Sequence, residues 1–122
     1  MVVATNAPLD ARNLERLAKR AFMGLAKTGG IASNGSGDYV IAFSTANAVP
    51  HQPTTMILPA QYLHNDATTP LFMAAIEATE EAIVNSLFAA ATMKGKSGRI
   101  IEALPRQQVL ELIKNYQRST GQ

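Results

Sequence analysis

The sequence contains no cysteine, and that one absence removes several classes of protein at once. A disulfide framework, a thiolate zinc site and a cysteine nucleophile all need residues that are not there. Histidine is nearly as scarce: His51 and His64 stand thirteen residues apart, and neither has a partner at ligand spacing. A structural metal site is therefore not expected, and no cofactor motif takes its place. Charge is sparse too, at 16% of 122 residues against roughly 25% in ordinary soluble domains, while hydrophobic residues hold at 47%. That hydrophobicity excludes a disordered chain. The net charge of +2 comes without any Lys/Arg block, so no nucleic-acid partner is expected. No apolar run reaches the roughly 20 residues of a membrane span. Met1-Val2-Val3-Ala4 is too short for a signal-peptide core and has no basic region before it. Cytoplasmic localisation fits these absences, with the bacterial periplasm as the alternative. Where charge is missing, small polar and small apolar residues stand instead. More of the surface is thus expected to be covered than a solitary domain needs.

The length suits one domain, since single domains commonly run about 100–150 residues, and residues 1–122 are expected to form one. A chain of this size can build a core without staples. The order of elements reads as strand, helix, strand, a possible short edge strand, then two helices, an α+β pattern. Met1–Ala4 shows no alternation and is expected to be a strand buried on both faces. Asp10 suits an N-cap for a helix over Ala11–Lys27, and Gly29-Gly30 supplies the stop. Leu14, Leu17, Ala18, Ala21, Phe22 and Leu25 fall on one stripe of that helix. Tyr39–Ser44 is β-rich and apolar, a good central strand. Between Thr45 and Pro59 three prolines leave only Met56-Ile57-Leu58 for a short edge strand within a long excursion.

Thr69-Pro70 opens a second helix expected to run to about Met93. Its apolar arc is too wide for one core face, so burial on more than one side is expected. Glu77, Glu80 and Glu81 sit in its N-terminal half, where the dipole favours them. Arg99–Ala103 reads as an extended link, and Pro105 starts a last helix with Val109, Leu112, Ile113 and Tyr116 on one face. Residues from Arg118 onward are expected to fray.

One segment concentrates groups that can do chemistry: Ser33-Asn34-Gly35-Ser36-Gly37-Asp38. Two hydroxyls, an amide and a carboxylate within six residues can orient a nucleophile, bind an amine or donate to an oxyanion. The same residues also make an ordinary tight turn, and composition leaves both readings open. Nucleotide binding fails on inspection. Gly30 to Gly35 has the glycine spacing of a P-loop, but Ser36 stands where the lysine belongs. Gly35-Ser36-Gly37 lacks the third glycine of a dinucleotide fingerprint and leads into a strand. A Ser-His-Asp triad of Ser36, Asp38 and a histidine is possible by arithmetic. However, both histidines lie in or beside the proline-rich excursion, where exposed loop histidines are the expectation.

Several ordered blocks together resemble the β-subunit of the DmpA-type aminopeptidases, the L-aminopeptidase/D-amidase-esterases and their β-peptidyl aminopeptidase relatives. The blocks are Val2–Arg12, Gly24–Gly29, Ser33–Asp38, Ala42–Asn47, Ala75–Ile83 and Asn85–Leu87. The resemblance implies a precursor that cleaves itself before a serine or threonine, which becomes the N-terminal nucleophile of the smaller, C-terminal (β) subunit. It implies a four-layer αββα sandwich of the N-terminal-nucleophile type, completed by a larger α-subunit, with the αβ units assembling into a homo-oligomer. The implied activity is metal-free removal of N-terminal residues, D- or β-amino acids included, from short peptides, amides or esters through an acyl-enzyme. Ser36 falls on the family's second active-site serine and Asp38 on its acidic residue, while Asn34 is a lesser candidate for substrate contact or turn shaping. The family's nucleophile precedes the Val-Val-Ala-Thr strand by a few residues. No serine, threonine or cysteine stands at that place here, so this chain alone is expected to be inactive. The competing expectation is a non-catalytic oligomeric or scaffold protein that kept the fold and lost the nucleophile.

Overall fold

The computed structural model describes residues 1–121, which divide into two compact units, Met1–Glu81 and the segment from Ala82 onward. The first unit opens with strand β1, Val2–Thr5, followed by helix α1, Ala11–Lys27, and strand β2, Ile41–Ser44. The two strands pair in parallel with Val2 opposite Ile41 and Thr5 opposite Ser44, and α1 forms the crossover between them. A 3-10 turn at Asn65–Ala67 then leads into helix α2, Thr69–Ala89.

Helix α1 has the bounds its sequence dictates because both ends are chemically marked. The Asp10 carboxylate accepts from the Asn13 N–H at 2.7 Å, satisfying one orphan donor of the first turn. At the far end Gly29 takes a left-handed φ of +94°. This lets Gly29 N–H reach Ala26 O and Gly30 N–H reach Leu25 O, closing the last carbonyls. The buried face differs from the expected stripe. Asn13, Leu17, Ala21 and Gly24 are buried, whereas Phe22 is exposed. The cause is the close approach of α2: a methyl on Gly24 would meet Ile76 O at 2.6 Å and Thr79 Cβ at 2.7 Å. The contact line therefore runs through the small residues Ala21 and Gly24, and Phe22 falls round its edge.

The core of this unit is Leu9, Leu17, Phe72 and Ala75, with Val3, Leu14, Leu63 and Leu71 packed against it. Arg16 and Arg20 lie over the Phe72 ring at 4.9 and 4.4 Å from its centroid, and Arg16 also donates to Asn13 Oδ1 and Asn65 Oδ1. Lys27 pairs with Glu80, a further tie between the two helices.

Strand β1 departs from the expected two-sided burial, and β2 has the same one-sided pattern. Val3, Thr5, Ala42 and Ser44 are half-buried, while Val2, Ala4, Ile41 and Phe43 are exposed. Paired residues of a parallel ladder share a face, so one face is packed and the other is an open apolar row. Helix α2 shows the same one-sidedness: Phe72, Ala75 and Thr79 are buried, but Met73, Val84 and Leu87 are exposed. These residues find neighbours on one side only, so the expected burial on more than one side is not met. Met56-Ile57-Leu58 forms no strand, since it has no strand to pair with, and all three residues are exposed.

In the second unit α2 ends at Ala89, four residues earlier than its apolar run suggests. The chain turns there to form an antiparallel hairpin, β3 (Met93–Lys94) against β4 (Ile100–Ile101), which absorbs the expected extended link. Helix α3, Arg106–Thr120, follows Pro105 as expected. It stays helical past Arg118, because Gly121 closes it with a left-handed φ of 68° and an N–H bond to Gln117 O. Leu112, Ile113 and Tyr116 on its apolar face are exposed.

Candidate active site

The hydroxyl-rich segment forms a tight turn at the N-terminal end of β2. Ser36 N–H donates to Ser33 O at 2.8 Å, and Gly35 supplies the left-handed φ of +91° that the reversal requires. The turn brings two of the three expected site residues together: Ser36 Oγ donates to Asp38 Oδ2 at 2.5 Å. Asn34 lies in the same turn without joining that pair. All three residues are exposed.

This geometry fixes what the pair can offer. A serine hydroxyl has one proton and two lone pairs. With the proton committed to Asp38, Ser36 Oγ presents itself as an acceptor, and the charge on Asp38 makes it a stronger one. An acceptor backed by a carboxylate suits a neighbouring hydroxyl or ammonium group that must be oriented or relieved of a proton.

Neither histidine takes part. His64 Nδ1 accepts from Asp66 N–H at 3.4 Å and lies 3.6 Å from Asp66 Oδ2, in an exposed pair of its own, and His51 is exposed in the excursion. Among the described residues no group of three His, Asp or Glu side chains is arranged to hold a metal ion. Glu77 and Glu81 remain surface groups on α2.

Two further features lie beside the turn. Tyr39, expected inside the strand, stands ahead of it: β2 begins at Ile41, and a methyl on Gly37 would sit 3.7 Å from Tyr39 Cε2. The chain entering β1 also runs beside this turn, since the Met1 nitrogen donates to Tyr39 O at 2.6 Å and Ile41 N–H donates to Met1 O at 3.1 Å. Parallel strand pairing brings these together, and pairing partners are not visible in a single strand's composition.

A cleft of about 330 Å³ lies at the opposite, C-terminal end of the strands, lined in part by Asp10, Ser44, Asn47 and Tyr62. Three of its polar side chains are occupied internally. Asp10 caps α1, Ser44 Oγ donates to Ala7 O, and Asn47 clamps the Gln61 backbone through both its amide atoms. That cleft is thus braced as structure.

The parallel β-α-β start and the packed helices make this a mixed helix/strand protein, and its structural neighbours place it with the N-terminal-nucleophile hydrolase fold. The chain matches the L-aminopeptidase D-Ala-esterase/amidase of Ochrobactrum anthropi, a variant of that fold, at 34% identity and a TM-score of 0.85, covering 96% of this chain and 33% of that one. A beta-aminopeptidase of Burkholderia sp. matches at 35% identity and a TM-score of 0.77, covering 93% and 34%. Residues 1–101 match peptidase family S58, and the chain belongs to that family. A curated relative, the beta-peptidyl aminopeptidase BapA of Sphingosinicella microcystinivorans, is 44% identical over 118 residues, 97% of this chain. The chain spans about 30% of the length of that relative. Among the described residues no helix is long and apolar enough to cross a membrane.

Proposed function

We propose that these 122 residues are a single domain, the C-terminal (β) part of a self-processing serine aminopeptidase. The whole protein releases N-terminal residues from short peptides, amides or esters through an acyl-enzyme. The observation that carries this reading is the hydrogen bond from Ser36 Oγ to Asp38 Oδ2 within the segment matching family S58. The relatives named above are aminopeptidases, one of them also an amidase and esterase.

The acylating hydroxyl belongs a few residues ahead of Val2, where the resemblance puts the family's nucleophile. Strand register supports the geometry: the Met1 nitrogen lies against Tyr39 O, so chain entering β1 passes beside the Ser36 and Asp38 turn. At roughly 3.3 Å per extended residue, a nucleophile two or three residues upstream is within reach of that turn. Its hydroxyl oxygen bonds to the substrate carbonyl carbon while its proton passes to the free α-amino group beside it. The bond to the leaving amine or alcohol then breaks, with that proton delivered to the leaving group. Water attacks the resulting ester, the acid departs and the hydroxyl is restored. Ser36 accepts a hydrogen bond from the nucleophile, Asp38 holds Ser36 in that role and favours the protonated amine, and Asn34 shapes the turn. The remaining two-thirds of the protein supplies the oxyanion donors and most of the pocket, and αβ units assemble further.

Expression of the complete reading frame followed by intact-mass measurement tests this reading. Two chains that meet just ahead of Val2, with release of an N-terminal residue from a dipeptide amide, are expected. A single uncleaved chain without such release would favour the scaffold reading and overturn this one.

A further inference from the structure

We infer that Tyr39 determines which N-terminal residue the enzyme accepts, by contacting that residue's side chain. This inference rests on the aminopeptidase reading above. Tyr39 directly follows Asp38, and its ring lies along Gly37, the residue that separates the two members of the polar pair. The ring is nevertheless 79% exposed. Its backbone carbonyl meets the Met1 nitrogen, so the residue touches both the turn and the chain that enters β1.

Small-molecule sites combine a few placed polar groups with apolar walls. Here the polar groups are Ser36 and Asp38, and the adjacent wall is a tyrosine ring, which offers a large, rigid contact area at low entropic cost. A scissile carbonyl held at the Ser36 turn leaves the substituent of the same residue beside Tyr39. The chemistry that fits is an apolar or aromatic side chain stacked on the ring.

The test compares wild-type full-length protein with Tyr39→Ala and Tyr39→Phe on peptide amides that differ only in the N-terminal residue, glycine against phenylalanine. The ratio of kcat/KM for phenylalanine over glycine is expected to fall about tenfold or more in Tyr39→Ala, the scale of a lost apolar pocket contact. The ratio should be retained in Tyr39→Phe, which keeps the ring. Equal losses on both substrates, or an unchanged ratio, would overturn the inference and leave the aminopeptidase reading standing. A collapse of kcat in Tyr39→Phe would also overturn it, by assigning the role to the hydroxyl. An inactive wild-type protein would remove both.

Discussion

Ser36 and Asp38 show how a weak compositional signal gains meaning from geometry. Serine, asparagine, glycine and aspartate crowd ordinary turns, and this turn does use Gly35 and the Ser33 carbonyl in that way. What composition could not give is the direction of the Ser36 proton, which points at Asp38 and leaves the hydroxyl oxygen as an acceptor. Tyr39 was hidden for a related reason, because its β-propensity assigned it to the strand although β2 begins two residues later. Away from the site, Glu15 pairs with Lys19 on the surface of α1. The hydrogen bond from Lys19 four residues on, at 2.6 Å, and then that residue's charge hold its carboxyl below the usual range. A depressed carboxyl stabilises the fold above its unfolded pKa, and the contribution is lost as pH falls through the folded value. Both groups are exposed, so salt screens the effect. In an NMR titration, Lys19→Gln should move Glu15 back up toward an ordinary glutamate, and an unmoved Glu15 would refute the assigned cause.

Elements were legible where their ends are chemically marked. Asp10, the stripe through Leu17 and Ala21, and Gly29-Gly30 mark α1 from end to end. Thr69-Pro70 likewise marks the start of α2, but no stop residue follows Ala89, and Ala90–Thr92 is as helix-friendly as what precedes it. Only the pairing of Met93 with Ile101 ends that helix, and pairing is a non-local fact. The rotation of α1 was equally invisible, since hydropathy does not reveal that Gly24 is where a second helix comes closest. Gly24→Ala tests that approach. Alanine gains up to about 1 kcal/mol of helix propensity, but its methyl meets the Ile76 carbonyl, a backbone atom that no rotamer change can move. Overpacking of this kind costs about 1–3 kcal/mol. A lower urea midpoint with an unchanged slope is expected for Gly24→Ala, and a raised midpoint would show that the helices can separate freely.

For the whole molecule, the sparse charge and the one-sided burial have a common reading. The row Val2, Ala4, Ile41 and Phe43, the outer apolar residues of α2 and the face of α3 with Leu112 and Tyr116 are all exposed in this chain. Exposed apolar area on that scale marks an interaction surface. The chain spans about a third of the structures it matches, and we propose that the larger part of the same protein and neighbouring copies supply the cover. Expressed alone, the 122 residues should therefore self-associate in sedimentation. A well-behaved monomer would count against that assignment. The burial pattern of the strands could not have been read from Val2–Thr5 itself, because a strand made to be covered on both sides shows no alternation whichever side is open. The central claim, that the Ser36 and Asp38 turn serves acyl transfer, is tested most directly by the kcat of the full-length protein carrying Ser36→Ala on a dipeptide amide. A fall of about 10²-fold with an unchanged circular-dichroism spectrum is expected for a lost group that orients the nucleophile. A wild-type rate in that variant would contradict the account.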